Sequence, residues 1–292
     1  MPIIKHKRLL VILAILSPAY AYLKSLPSRQ SVSQPTATPT SPVAISTPTT
    51  KQLISNPTLP TASATSTTQI AQHVELAEQG DRLLNQGRNE EAIATYDKAI
   101  QLQPDYAYAW NQRGDALWNL KRYEEALAAY DKAIKFKPDY ALAWYNRGLT
   151  LGNLQRYEKA IVAYDKAIKI QPDYTDAWNN RGWALNNLQR YEEAIAAYDK
   201  AIKFKPDYAL AWYNRGWTLN ELRRYEEALA VFDKAIKLQP DYALGWNHRG
   251  CVLENLRRYE EALTAYDKAI KLQPDLQLAK DNHSRLKTKL GQ

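Results

Sequence analysis

The sequence predicts an all-α fold: a solenoid of six helix-turn-helix repeats of 34 residues each, followed by one capping helix. Three residue types recur every 34 residues along the chain. They are the prolines Pro104, Pro138, Pro172, Pro206, Pro240 and Pro274, the glycines Gly80, Gly114, Gly148, Gly182, Gly216 and Gly250, and the alanines Ala92, Ala126, Ala160, Ala194, Ala228 and Ala262. The predicted repeats are 73–106, 107–140, 141–174, 175–208, 209–242 and 243–276 within 71–276, and the capping helix is 277–292.

Each repeat contains two helical patterns. In residues 107–140, Trp110, Gly114 and Leu117 recur at the spacing of one helical face. A second face follows in the same repeat, at Ala126, Leu127, Tyr130, Ala133 and Ile134. Pro138 has no amide hydrogen to continue a helix, so it ends the second helix. Glycine costs about 1 kcal/mol inside a helix. Its regular place there therefore predicts a helix contact too close for a side chain.

These positions resemble the signature of the tetratricopeptide repeat family. The matching residues in the second repeat are Trp110, Gly114, Tyr123, Ala126, Tyr130, Ala133 and Pro138. The resemblance extends over 73–276 and is weakest in the first repeat, where Leu76 replaces the tryptophan and Asn89 the tyrosine. It implies a right-handed superhelix whose first helices form the inner wall. In the capping helix we expect Leu278, Leu286 and Leu290 to face inward.

The N-terminal part differs in composition from the repeats. Basic residues at Lys5–Arg8 precede an apolar run from Leu9 to Leu16, so 1–23 is predicted to be a signal peptide or a membrane anchor. Either one would place the repeats outside the cytoplasmic membrane. In 24–70, 27 of 47 residues are Ser, Thr or Pro, which predicts a disordered linker.

Charge and composition exclude several functions. The net charge of +8 arises mostly before residue 73, and beyond that point 33 basic residues face 31 acidic ones. Nucleic acid is therefore not an expected partner. The single cysteine, Cys251, excludes an internal disulfide, and four dispersed histidines make no metal site. We expect no cofactor, metal or catalytic residue, because every regularly spaced polar group belongs to the scaffold.

A row of side chains at the sixth position of each repeat is predicted to face the inner wall. Asn146, Asn180 and Asn214 occupy it in three consecutive repeats, with Gln112 before them and His248 after them. Amides both donate and accept hydrogen bonds, so such a row is suited to binding the main chain of an extended peptide. The row resembles the asparagine ladder of O-linked N-acetylglucosamine transferases. The alternative interpretation is that these asparagines lie on a solvated helix face and bind nothing.

Apolar residues occupy the ninth position in the middle of the predicted groove. Trp183 and Trp217 are candidate anchors for a partner, and Tyr145 and Tyr213 at the fifth position border them. Packing against a neighbouring repeat is an equally good explanation of the two indoles. A second amide row at the thirteenth position is Asn85, Asn119, Asn153, Asn187 and Asn255, with Glu221 in the fifth repeat.

Arginines occupy the seventh position of five repeats, at Arg113, Arg147, Arg181, Arg215 and Arg249. We favour a structural role, with each guanidinium pairing with an acid, over capture of an acidic ligand. The leading functional hypothesis is a non-enzymatic scaffold that binds a protein or peptide in the concave groove, for example as an assembly factor. Self-association of the repeats is the second hypothesis, and a carbohydrate binder or enzyme is a remote third.

Overall fold

The computed structural model describes the backbone of residues 63–291, with side chains from residue 72 onward. This part of the chain forms thirteen α-helices and no strand. They are α1 (Ser63–Asn85), α2 (Asn89–Leu102), α3 (Ala107–Asn119), α4 (Tyr123–Phe136), α5 (Ala141–Asn153), α6 (Tyr157–Ile170), α7 (Thr175–Asn187), α8 (Tyr191–Phe204), α9 (Ala209–Glu221), α10 (Tyr225–Leu238), α11 (Ala243–Asn255), α12 (Tyr259–Leu272) and α13 (Gln277–Leu290).

Successive helices pack in antiparallel pairs and produce an all-α solenoid, as predicted. Each odd-numbered helix is the first helix of a repeat, and each even-numbered helix is the second. From α3 onward, every odd-numbered helix also approaches the next odd-numbered helix. The first helices therefore lie side by side along one wall, which we call the inner wall. The second helices form the outer layer.

The recurring glycines lie where the two helices of a repeat touch. A Cβ atom added to Gly114 would lie 2.5 Å from Cε1 of Tyr130, whose ring is only 1% exposed. The equivalent tyrosines are buried in four of the other repeats, and Phe232 takes this place in the fifth. The close helix contact predicted from the glycine spacing is confirmed.

A hydrogen bond between a recurring Trp and a recurring Pro joins one repeat to the next. The indole nitrogen Nε1 of Trp144 donates a hydrogen bond of 2.9 Å to the carbonyl oxygen of Pro138 in the turn before it. The same bond recurs at Trp110, Trp178, Trp212 and Trp246, at 2.9–3.0 Å. Proline thus ends one helix and supplies an acceptor that fixes the start of the next repeat.

One boundary and one side-chain orientation differ from the predictions. The first helix begins at Ser63, so residues 63–70 of the predicted linker are helical. In α13, Leu286 is fully buried and Leu290 half-buried as expected, but Leu278 is 36% exposed and Ala279 takes the inward place. The predicted segment 1–23 and the linker up to residue 62 lie outside the described residues. Within the described residues, no helix combines the length and hydropathy needed to cross a membrane.

Candidate functional site

The amide row at the sixth position links neighbouring repeats along the inner wall. The side chains of Asn146, Asn180 and Asn214 each contact the fifth-position side chain of the preceding repeat, 35 residues earlier. Asn146 Nδ2 donates to Asn111 Oδ1 at 3.1 Å, and Asn214 Nδ2 donates to Asn179 Oδ1 at 3.0 Å. Between these two steps, Asn180 Nδ2 donates to the hydroxyl of Tyr145 at 3.0 Å. The row is therefore a chain of hydrogen bonds that runs from repeat to repeat.

The environment of Asn146 corrects the expectation that this row is an open surface. Its side chain is 1% exposed, and Nδ2 also donates to Asp115 Oδ1 at 3.0 Å. Asn180 and Asn214 are half-buried and keep part of their surface accessible. Gln112 is half-buried too, and its Nε2 donates to Asp81 Oδ1 at 3.3 Å. The sixth-position side chains thus have a structural role, and those that are half-buried leave a narrow strip of accessible polar surface.

Sequence reasoning missed two parts of this network. The fifth position alternates between Asn111, Asn179 and Asn247 in even repeats and Tyr145 and Tyr213 in odd repeats. The capping helix continues the row, because Asn282 Nδ2 donates to Asn247 Oδ1 at 3.0 Å. Asn282 follows His248 by 34 residues, so the repeat period itself would have identified it. The helix α13 therefore carries one further position of the row.

His248 interrupts the amide row. Its Nδ1 lies 2.9 Å from the carbonyl oxygen of Leu244 and 3.3 Å from the Tyr213 hydroxyl, so the ring turns its donor to the backbone. The ring also stacks on Phe232, with centroids 6.1 Å apart. Burial lowers the pKa of His248, which favours the neutral ring. In this arrangement Nδ2 of the fully buried Asn247 has no hydrogen-bond partner among the described residues.

The two tryptophans of the ninth position are half-buried and contact their own scaffold. The ring of Trp183 packs edge-to-face on Tyr157 of the preceding repeat, with centroids 5.6 Å apart. It also covers Gly152, whose added Cβ would lie 3.2 Å from Cζ3 of the indole. Trp217 packs against the hydrophobic core of the fifth repeat. Both indoles therefore support the repeats while leaving part of their surface on the inner wall.

The two tyrosines of the fifth position differ in exposure. Tyr145 is 8% exposed and belongs to the core of the third and fourth repeats, so the structure does not place it on the open surface. Tyr213 is half-buried, and its ring meets Tyr242 at a centroid distance of 5.0 Å. Burial raises the pKa of the Tyr213 hydroxyl, which keeps it protonated.

The arginines of the seventh position form ion pairs with the outer layer. In each pair Nε donates to an aspartate of the preceding repeat at 2.6–2.7 Å. The pairs are Arg113–Asp97, Arg147–Asp131, Arg181–Asp165, Arg215–Asp199 and Arg249–Asp233. These ion pairs support the structural role that the sequence analysis favours for this row. His283 holds the same position in α13, with Nε2 3.1 Å from Asp267 Oδ1.

Within residues 72–291, no group of His, Cys, Asp and Glu side chains is arranged to hold a metal ion. Cys251 is half-buried, and burial raises the pKa of its thiol. The polar groups of the inner wall are regular amides and carboxylates, repeated from helix to helix. The fold and this wall define an α-helical repeat protein of the interaction-scaffold class.

The chain belongs to the tetratricopeptide repeat family. Family models described as tetratricopeptide repeat match residues 78–141 and then, one repeat each, 141–174, 175–208, 209–242 and 243–276. Repeats of this family typically bind proteins and are typically non-enzymatic, so the chain is a protein-interaction scaffold. A comparison with functionally characterised proteins gives no match.

Solved structures with the same fold include YrrB, described as a tetratricopeptide repeat protein with an unusual peptide-binding site. It is 26% identical, with 64% of this chain and 96% of YrrB covered, at a TM-score of 0.54. MamA is 24% identical, with 55% of this chain and 94% of MamA covered, at a TM-score of 0.53. PilF of Pseudomonas aeruginosa is 17% identical, with 75% and 99% covered, at a TM-score of 0.65. The last two share the fold alone.

Proposed function

We propose that the inner wall binds an extended peptide segment of a partner protein. The observation that carries this proposal is the continuous strip of half-buried amides and apolar side chains along adjacent first helices. Asn180 and Asn214 each have hydrogen-bonding capacity beyond the single bond that Nδ2 makes to the preceding repeat. Half-buried Leu142 and Leu210, at the second position, supply apolar surface beside them. The peptide-binding site described for YrrB, a structural relative, supports the same type of ligand.

The proposed site centres on repeats three to five. Asn180, Asn214, Trp183 and Trp217 have accessible surface there, whereas Asn146 and Tyr145 act from beneath as supports. Gln112 and His248 extend the strip toward its two ends. A partner in this position would bury the exposed parts of the indoles, which are typical energetic centres of protein interfaces.

A charge-insertion pair tests this proposal. Leu142→Glu with Leu210→Glu places two carboxylates on the inner wall, and Val162→Glu with Ala230→Glu places two on the outer layer of the same repeats. Val162 is 56% exposed and Ala230 is exposed, so the outer pair is a matched control. Proteins retained by the full chain from the exported fraction are expected to be lost with the inner pair and kept with the outer pair. Retention that is lost only with the outer pair would refute an inner-wall site.

We also propose that the repeats act outside the cytoplasmic membrane as an assembly factor, and the basic and apolar segment within 1–23 supports this location. Deleting Met1–Ala21 is expected to leave the protein in the cytoplasmic fraction. Continued export of the truncated chain would contradict the targeting role. For the alternative of self-association, sedimentation over a range of concentrations would show a rising mass.

A further inference from the structure

We propose that the peptide bound by the inner wall is cationic toward both ends and apolar at its centre. This inference rests on the proposed function and names the chemistry of its ligand. The inner wall comprises the second, fifth, sixth, ninth, twelfth and thirteenth positions of the first helices. In all six repeats these positions contain no Lys or Arg. They contain six acids: Glu78, Asp81, Asp115, Asp176, Glu221 and Glu254.

In repeats two to six, the cations of the first helices are directed away from the inner wall. In repeats two to six, the basic residue of each first helix is the seventh-position arginine, which pairs with an outer aspartate at 2.6–2.7 Å. In the first repeat it is Arg82, at the tenth position. His248, the one imidazole on the wall, has a pKa lowered by burial and adds no charge at neutral pH. The potential along the inner wall is therefore set by carboxylates.

Three of these carboxylates form no ion pair within the described part of the chain. Glu78, Asp176 and Glu221 are exposed, and within the described part of the chain no Lys or Arg lies at ion-pair distance from them. Asp176 Oδ1 accepts a hydrogen bond of 2.7 Å from the Tyr208 hydroxyl, which leaves its charge intact. Acids of the outer layer differ, because pairs such as Arg122–Glu125 at 2.7 Å neutralise them locally.

In the capping helix, a cation pairs with one acid of the inner wall. Glu254 lies at the twelfth position of the sixth repeat, and α13 covers it so that its side chain is 11% exposed. The covering residue is Arg285, whose two terminal nitrogens donate to the two carboxylate oxygens at 2.7 and 2.8 Å. Lys289 Nζ lies 3.8 Å away as well. A ligand that covers Glu78, Asp176 and Glu221, which form no ion pair, would satisfy them best with cations at the corresponding points.

Apolar surface separates the acids at the two ends. Glu78, Asp81 and Asp115 belong to the first two repeats, and Glu221 belongs to the fifth, while Glu254 of the sixth is already paired with Arg285. Between them the wall carries Leu142, Leu149, Trp183, Leu210 and Trp217, with Asp176 as the one acid. Asn186, 7% exposed and one helical turn after Trp183, has a carbonyl oxygen without a hydrogen-bond partner among the described residues.

The test uses the full chain and a displayed library of random 16-residue peptides, and the readout is the net charge of the retained peptides. We expect Lys and Arg to be enriched on both sides of an apolar centre. Enriched peptides without a positive bias would overturn this inference and leave the proposed function standing. If the chain enriches no more peptides than the variant with Leu142→Glu and Leu210→Glu, both the inference and the proposed function are wrong.

A variant pair then assigns the charge preference to the wall. Glu78→Gln, Asp176→Asn and Glu221→Gln together remove the three acids that form no ion pair, while keeping an oxygen for Tyr208 to donate to. Glu192→Gln, Glu226→Gln and Glu260→Gln remove three exposed acids of the outer layer as the control. For a selected cationic peptide, we expect the dissociation constant to rise at least about fivefold at low salt in the first variant. An equal change in both variants would overturn the assignment.

Discussion

Substituting alanine for glycine at the helix contact is expected to affect stability differently in two neighbouring repeats. A Cβ added to Gly182 would lie 2.6 Å from Cε1 of Tyr198, whereas one added to Gly216 would lie 3.1 Å from the ring of Phe232. Both rings are fully buried. Since carbon atoms prefer separations of about 3.5–4.0 Å, the Tyr198 ring must move by about 1 Å, and the Phe232 ring by about half of that.

The hydroxyl group makes this movement harder for the tyrosine. Asn186 Nδ2 donates to the Tyr198 hydroxyl at 3.4 Å, which holds the ring at its far end, and phenylalanine has no such contact. Overpacking costs about 1–3 kcal/mol, and alanine regains about 1 kcal/mol over glycine in a helix. We therefore expect Gly182→Ala to lower the free energy of unfolding by up to about 2 kcal/mol, and Gly216→Ala to leave it nearly unchanged. Gly182→Leu, with its larger side chain, is expected to cost more than Gly182→Ala.

Urea unfolding of the full chain, followed by circular dichroism, measures this difference. Both glycines lie in interior repeats, so each substitution interrupts a repeat with neighbours on both sides. The unfolding slopes should agree between the two variants if only stability has changed. A Gly182→Ala variant as stable as the Gly216→Ala variant would refute the assignment of the glycine row to the helix contact.

Three further substitutions test the inner wall and its cap. Asn146→Ala leaves buried Asn111 Oδ1 without its donor, so we expect unfolding to become easier by about 1–3 kcal/mol; an unchanged urea midpoint would contradict the hydrogen-bonded row. Arg285→Gln removes the partner that holds the pKa of Glu254 below its usual range. Its cost of about 1–2 kcal/mol at pH 7 should disappear as the pH falls through that lowered pKa, and a loss independent of pH would contradict the pair. Burial lowers the pKa of His248, so protonation at low pH favours the unfolded chain. The free energy of unfolding of the wild type should therefore be unaffected by His248 above the ordinary histidine pKa and should decrease below it. We expect His248→Asn to remove that decline in melting temperature between pH 7 and 5, and parallel curves for the two proteins would refute it.

The sequence predicted the fold well because each repeat carries its own local signals. Pro138 ends a helix, and Gly114 reports a close contact through the absence of a side chain, so one repeat defines the other five. The sequence also predicted that the seventh-position arginines form ion pairs, because a half-buried guanidinium needs an acid. Their aspartate partners, such as Asp131, became visible only when neighbouring repeats were placed side by side.

The inner wall was harder to predict because it is built across repeats. Helical periodicity places Asn146 and Asn180 on the same face, yet one is buried and the other is half-buried. The difference depends on what the preceding repeat offers: Asn111 and Asp115 surround Asn146, while Asn180 meets the hydroxyl of Tyr145. Such contacts join residues about 35 positions apart, and no pattern within a single helix reports them.

The central claim is that a partner occupies the inner wall, and site-specific photo-crosslinking in the full chain tests it most directly. A photoreactive residue at Leu210, half-buried on α9, samples the inner wall, and one at Ala196, exposed on α8, samples the outer layer. Cells that export each labelled protein would be irradiated, and the covalent products of the two labelled proteins would be compared. We predict that Leu210 yields a defined crosslinked partner that Ala196 does not. A partner crosslinked from Ala196 alone would contradict the claim.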